Sequence, residues 1–218
     1  MWCPKRLKEL IEVNGLLTAD ITNFIESISR TIEIYEYHKF EAFSLIQAIE
    51  SNSGSQAFKL IMDQNQELYY KQLAVQAHIQ SAIHNARSLY DLTAQLFNAI
   101  LIEEKYRLRI NKCSIQDVAV MLCNPELKAM IEQVISTESY KYVNGFVNTI
   151  KHRNLVKLNS AAYFDPFKNM SISFDAFSFN KVQYPSRSAK DALQVSLDVK
   201  NNIISIGESL ERHLSIQV

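Results

Sequence analysis

The chain has 218 residues, 47% of them apolar and 21% charged, with 23 basic and 23 acidic side chains and a formal net charge of zero. That is enough apolar material for a substantial core, while overall neutrality excludes nucleic-acid or membrane attraction by total charge alone. Only 4 Gly and 4 Pro occur. Turns and strand connections consume those residues, so few, long helices are predicted.

In chain order, a short basic helix is expected near 4–13, broken by Gly15. A helix then starts at Thr18 or Asp20. The stripe Ile21, Phe24, Ile25, Ile28, Ile32 and Tyr35 keeps helical spacing, and continuation through "FEAFSLIQAIE" follows. "SNSGS" at 51–55 is the strongest break of the first half. From Gln56 to about Glu104 there is neither Gly nor Pro, which predicts one very long helix or two with a bend. Within it Ile79, Ala82, Ile83, Ala86, Leu89, Tyr90, Thr93, Leu96, Phe97 and Ile100 form a sustained apolar face. A helix of that length suits the spine of a bundle or of a dimer.

Ser114 in "NKCSIQD" is placed to cap a short helix. "NPEL" at 124–127 puts Asn124 at the N-cap, Pro125 at the first helical position and Glu126 near the positive end of the next. A further helix is expected from about Ser139 to Lys157. The period then changes to two at Ile172, Phe174 and Ala176, which reads as strand. Residues 161–184 hold 7 of the 22 aromatics and are expected to form a small β hairpin or flap, with a turn at "DPFKN", 165–169. These rings either pack the hairpin onto the helices or stack bases. A last helix is expected at about 188–215. The fold class is therefore mainly α, a multi-helix bundle with a small β-hairpin insertion near 161–184, in a single domain spanning 1–218.

Cys3, Cys113 and Cys123 have no metal-ligand spacing, and an odd count does not suit a disulfide framework. With no signal peptide and no run of about 18 apolar residues, no membrane association is expected, and the compartment implied is a reducing cytoplasm. No phosphate-binding glycine loop, His-x-x-x-His pair or nucleophile elbow occurs. The spacing of the five histidines (38, 78, 84, 152 and 213) indicates no metal site, and no cofactor is implied.

Two polar stripes are candidate sites. His84, Arg87, Asp91, Gln95 and Asn98 follow steps of three and four and share one helix face, with Arg87 and Asp91 spaced as an i,i+4 pair. The stripe is either exposed surface or a buried polar network between helices. In "NTIKHRNLVK" (148–157), neighbouring side chains diverge by about 100° on a helix, so Lys151, His152 and Arg153 cannot grip one small ligand together. Lys141, Asn144, Asn148, Lys151 and His152 share a face, with Arg153 at the flank of the apolar one. No acidic residue occurs between 139 and 164. That face is either plain solvated surface or chemistry suited to phosphate.

A late helix carrying "NxxxKHRN", preceded by a long helix with an Arg/Asp/Asn stripe, resembles the HEPN superfamily over at most about 77–157. Those are small helical domains of ribonuclease toxins, antiviral and phage-defence proteins and RNA-processing factors. The resemblance implies a protein that binds or processes RNA in defence or stress response. HEPN ribonucleases carry Arg followed by four to six residues and then His. No such pair occurs here, so no catalytic residue is carried over from the family. On the residues themselves, His152 is the candidate acid/base, Arg153, Lys151 and Arg87 would hold phosphate, and Asn148 would orient. Asp91, Asn98 and Asn144 complete the binding set. The alternative is a non-enzymatic module in which the long helix builds a homodimer and the polar stripes fix helix register.

Overall fold

A computed structural model describes residues 3–51, 55, 58–59, 62, 65–165 and 168–216. Seven helices and five short strands are present among the described residues: α1 (Pro4–Val13), α2 (Ala19–Glu50), α3 (Gln66–Leu101), α4 (Ile115–Met121), α5 (Pro125–Ser136), α6 (Glu138–His152), β1 (Leu158–Asp165), β2 (Lys168–Phe174), β3 (Phe177–Phe179), β4 (Val182–Tyr184), β5 (Arg187–Ser188) and α7 (Ala189–Ile216). The protein is mainly α with a small antiparallel β region, as the scarcity of Gly and Pro predicts. No helix among the described residues is long and apolar enough to cross a membrane. The chain divides into two compact units.

The first unit comprises Met1–Glu33, Asn85–Lys141 and Leu197–Val218. Its helix ends follow local chemistry. Pro4 opens α1. At the other end of α1, Gly15, at φ 69°, donates to Glu12 O, and Leu16 donates to Ile11 O. That pair of bonds closes the helix around a left-handed residue that costs glycine little. The Ser114 hydroxyl accepts from Asp117 N and caps α4. Asn124 Oδ1 accepts from Glu126 N and Leu127 N, both at 3.0 Å, ahead of Pro125 in α5. The core is built from Leu7, Ile11, Ile21, Ile25, Ile28, Leu89, Tyr90, Phe97, Ile115, Ile131, Ile206 and Leu210, all at most 2% exposed.

The second unit comprises Ile34–His84 and Tyr142–Ser196. The sheet order is β1-β2-β5, with Leu158 opposite Phe174 and Ser173 opposite Ser188. β3 and β4 form a separate hairpin. Its two-residue turn, Asn180-Lys181, has both residues at positive φ (49° and 68°), the backbone that a tight right-twisted hairpin requires. Met170, Ile172 and Phe174 alternate inward on β2. Ala176, expected to continue that alternation, is exposed in the link between β2 and β3, and the inward pattern resumes one residue later at Phe177. Phe177 and Tyr184 stack at 4.7 Å, and Tyr142 meets both edge-on. Gly145 admits the Tyr184 ring, since a Cβ there would stand 2.9 Å from a ring carbon.

Two expected boundaries differ. α6 ends at His152, five residues short of Lys157, because the amides of Arg153 and Asn154 both turn back to Thr149 O, and Leu158 is already paired in β1. The long stretch after residue 56 forms a regular helix from Gln66, where Asn65 Oδ1 accepts from Leu68 N at 2.9 Å. The expected turn at 165–169 and the break at 51–55 lie partly outside the described residues.

Candidate functional site

The α3 stripe belongs to the first unit from Asn85 onward, and its members are half-buried or buried rather than fully exposed. Arg87 Nη1 donates to Asp91 Oδ1 at 2.8 Å. The Arg87 guanidinium carbon lies 5.9 Å from the centre of the Tyr140 ring, whose hydroxyl accepts from Gln116 Nε2 at 2.7 Å. Tyr90 tilts onto the same ring at 4.8 Å and donates its hydroxyl to Val199 O at 3.1 Å. Burial raises the pKa of both phenols, only partly offset by the nearby guanidinium. Burial, with Asp117 and Asp91 adding to it, pushes the Cys113 thiol up to about 11. It is therefore a poor nucleophile at neutral pH.

Asn98 is only 7% exposed. Its Oδ1 accepts from Leu108 N at 2.9 Å and its Nδ2 donates to Leu108 O at 3.0 Å. One amide thus satisfies both backbone groups of a residue between two single 3-10 turns, Glu104–Tyr106 and Ile110–Lys112. The bonds position a loop.

The α6 stripe from Tyr142 onward belongs to the second unit. Asn148 Nδ2 donates to Asn144 O at 2.8 Å and to Asn144 Oδ1 at 3.2 Å, a local bond that ties the two together on one face. Lys151 and His152 are exposed in the last turn, where cations meet the negative end of the helix dipole. Arg153 turns away from them. Its Nη1 donates to Ser178 O at 3.0 Å, and its guanidinium covers the Phe179 ring at 5.2 Å, fastening the β3–β4 hairpin. Lys157 and Lys181 are also exposed on this unit. The sequence-derived residues thus fall into two sets: Arg87, Asp91 and Asn98 in the first unit, and Asn144, Asn148, Lys151, His152 and Arg153 in the second.

Two groupings escaped the sequence reading. In the second unit His38 Nδ1 and His78 Nδ1 stand 2.9 Å apart, with the Tyr37 ring edge-on to both imidazoles. Burial, then His78, lowers the pKa of His38. In the first unit a cleft of about 550 Å³ is lined by Asn124, Leu127, Met130, Arg212 and His213 among others. Asn124 Oδ1 is occupied by the α5 amides, so its Nδ2 donates to His213 Nδ1 at 3.0 Å. No histidine spacing signals either grouping, because the partners lie 40 and 89 residues apart.

The outward faces of α2 and α3 in the second unit carry Tyr37, Phe40, Phe43, Tyr69, Tyr70 and Leu73, each 45–66% exposed. Comparison with known protein families, with curated proteins and with solved structures finds no match.

Proposed function

We propose that this chain is a non-enzymatic helical interaction module whose partner is a second copy of itself, joined through the outward aromatic faces of α2 and α3. The exposure of Tyr37, Phe40, Phe43, Tyr69, Tyr70 and Leu73 carries this reading. At roughly 200 Å² per aromatic side chain, half-exposed, the five rings offer roughly 500 Å² in total, to which Leu73 adds aliphatic surface. The largest apolar patch on a monomer is about 300–600 Å², and a standard interface takes about 800 Å² from each partner. Aromatic residues are also the type most enriched at such interfaces.

Charge favours protein over nucleic acid at these faces. The two lysines interleaved with the rings are each held by a carboxylate, Lys39 by Glu36 and Lys71 by Glu67. Two copies of a chain with zero net charge also approach without mutual repulsion. Sedimentation over a wide concentration series tests the proposal. The protein should sediment as a dimer, and Phe40→Ser with Tyr70→Ser should leave a folded monomer. A monomer at every concentration overturns it.

A second reading, a HEPN-like protein that binds or processes RNA in defence or stress response, is favoured by the exposed Lys151, His152, Lys157 and Lys181 of the second unit, with no acidic residue between 139 and 164. Lys151, Lys157 and Lys181 would displace counterions from phosphates, so affinity should fall steeply with salt. His152 would be the acid/base. RNA turnover lost in His152→Ala would establish this reading, and salt-independent or absent binding would remove it.

A further inference from the structure

His38 on α2 and His78 on α3 are joined by one hydrogen bond between their Nδ1 atoms, 2.9 Å apart. That contact has room for one hydrogen. The ring that donates it keeps a lone pair on Nε2, and the ring that accepts it carries its own hydrogen on Nε2. A first added proton goes to Nε2 of the donor ring, where it strengthens the bond by charging the donor. A second proton must take the Nδ1 lone pair of the acceptor ring, which is already engaged in the contact. Two imidazolium rings then meet N–H to N–H, with like charges facing each other. The pair tolerates one proton and is opened by two.

Few other charges act on it. α3 carries no acidic residue, lysine or arginine between Lys71 and Arg87, and His84 is its other titratable group there. On α2 the charged neighbours within a turn are Glu36 and Lys39, which pair with each other, and Glu41. Gln76 Nε2 donates to Val156 O, and the charge that this segment brings to α3 is the exposed Lys157. Burial first, and then the charge of His78, lowers the pKa of His38 from 6.5.

Tyr37 connects the pair to the outward face. Its ring is edge-on to both imidazoles, with centres 5.2 and 6.1 Å away, and it is itself one of the exposed aromatic residues of α2. We propose that the His38–His78 bond is an acid-sensitive latch of the self-association face: double protonation parts α2 from α3 beside Tyr37 and releases the partner copy. The release rests on the pairing of the aromatic faces proposed above, and the opening of the latch does not.

Sedimentation of the full chain at about pH 7.5 and about pH 5 tests both. Each dimer holds two latches, and each sheds one proton to close. The dissociation constant of the parent should therefore rise at least about tenfold on acidification, towards a limit of about 10²-fold per pH unit. In His38→Gln and in His78→Gln the remaining ring faces no second imidazolium, and the rise should stay under about threefold. A parent dimer that does not weaken, or variants that weaken as much, overturns the latch. A parent that is already a monomer at the higher pH overturns the dimer and its release, and nitrogen NMR of both imidazoles in that same protein then judges the latch alone. Two separate protonation steps, the second moving the Tyr37 ring resonances, support it. Independent titrations with Tyr37 unmoved refute it. The same spectra of the parent decide if a variant fails to fold.

Discussion

Replacing Asn98 by alanine separates a structural role for the α3 stripe from a ligand-binding one. The side chain is 7% exposed and makes two bonds to the backbone of Leu108, at 2.9 and 3.0 Å. Alanine deletes both and leaves an amide and a carbonyl to find other partners. A typical hydrogen bond contributes about 1 kcal/mol net, and a buried group left unmet costs about 1–3 kcal/mol. Leu108 is only half-buried, so water replaces part of each bond, and the expected loss is about 2–3 kcal/mol in total. Asn98→Asp keeps the acceptor for Leu108 N–H. It sets a carboxylate oxygen against the Leu108 carbonyl, however, so ionised aspartate should do no better than alanine. Urea unfolding followed by far-UV circular dichroism, with the slope compared between variants, reads the change. An Asn98→Ala protein within about 0.5 kcal/mol of the parent, the range of ordinary surface substitutions, refutes the loop-clamp account. If that variant lost RNA affinity at unchanged stability, Asn98 would be a contact residue instead.

Gly145→Ala places a methyl group 2.9 Å from the Tyr184 ring. That ring is buried and stacked on Phe177, so it has little room to retreat. The overpacking cost of about 1–3 kcal/mol should exceed the helix-propensity gain of about 1 kcal/mol. The expected net loss is about 1 kcal/mol by urea unfolding; the same change made on top of Tyr184→Ala should stabilise, and a loss in both backgrounds would rule out the steric account. His38 gives a pH test. Its folded pKa is lowered from 6.5, first by burial and then by His78, so the unfolded chain binds that proton more readily. Its contribution is intact above 6.5 and is lost as pH falls through the lowered folded value. The urea midpoint should therefore drop more between about pH 7 and about pH 5 in the parent than in His38→Gln, and equal drops would show that His38 does not govern the acid response.

Helical periodicity carried most of the fold. All ten residues of the stripe from Ile79 to Ile100 are buried, Thr93 included, because an apolar repeat of about 3.6 residues held over several turns fits a helix with one buried face and little else. The caps at Ser114 and Asn124 were legible for a similar reason: their chemistry is local. Legibility failed where tertiary pairing overrides local preference. Nothing between His152 and Lys157 forbids helix, yet the chain leaves it to pair β1 with β2. Ala176 fits the alternation in sequence and is exposed in a link. At the candidate sites, spacing gave the Arg87–Asp91 pair. It could not give the Tyr140 ring 5.9 Å from Arg87, the Leu108 backbone beneath Asn98, or the meeting of His38 with His78, since each depends on how separate segments pack.

That difference bears on function. A catalytic or ligand-gripping group must keep some bonding capacity for its substrate, and several stripe residues instead use theirs on their own fold. Asn98 binds Leu108, Asn148 binds Asn144, and Arg153 divides its donors and its face between Ser178 and Phe179. Lys151 and His152 remain exposed, but on a helix they diverge, and the dipole at the end of α6 accounts for basic residues there without a ligand. The outer aromatic side chains of α2 and α3 keep much of their surface outside the fold, although the Tyr37 ring also meets His38 and His78 edge-on. Tyr37, Phe40, Tyr69 and Tyr70 are each more than half exposed, and leaving that much apolar surface in water costs about 25 cal/mol per Å². The proposed self-association would relieve that cost, and the sedimentation of Phe40→Ser with Tyr70→Ser tests it more directly than any activity assay.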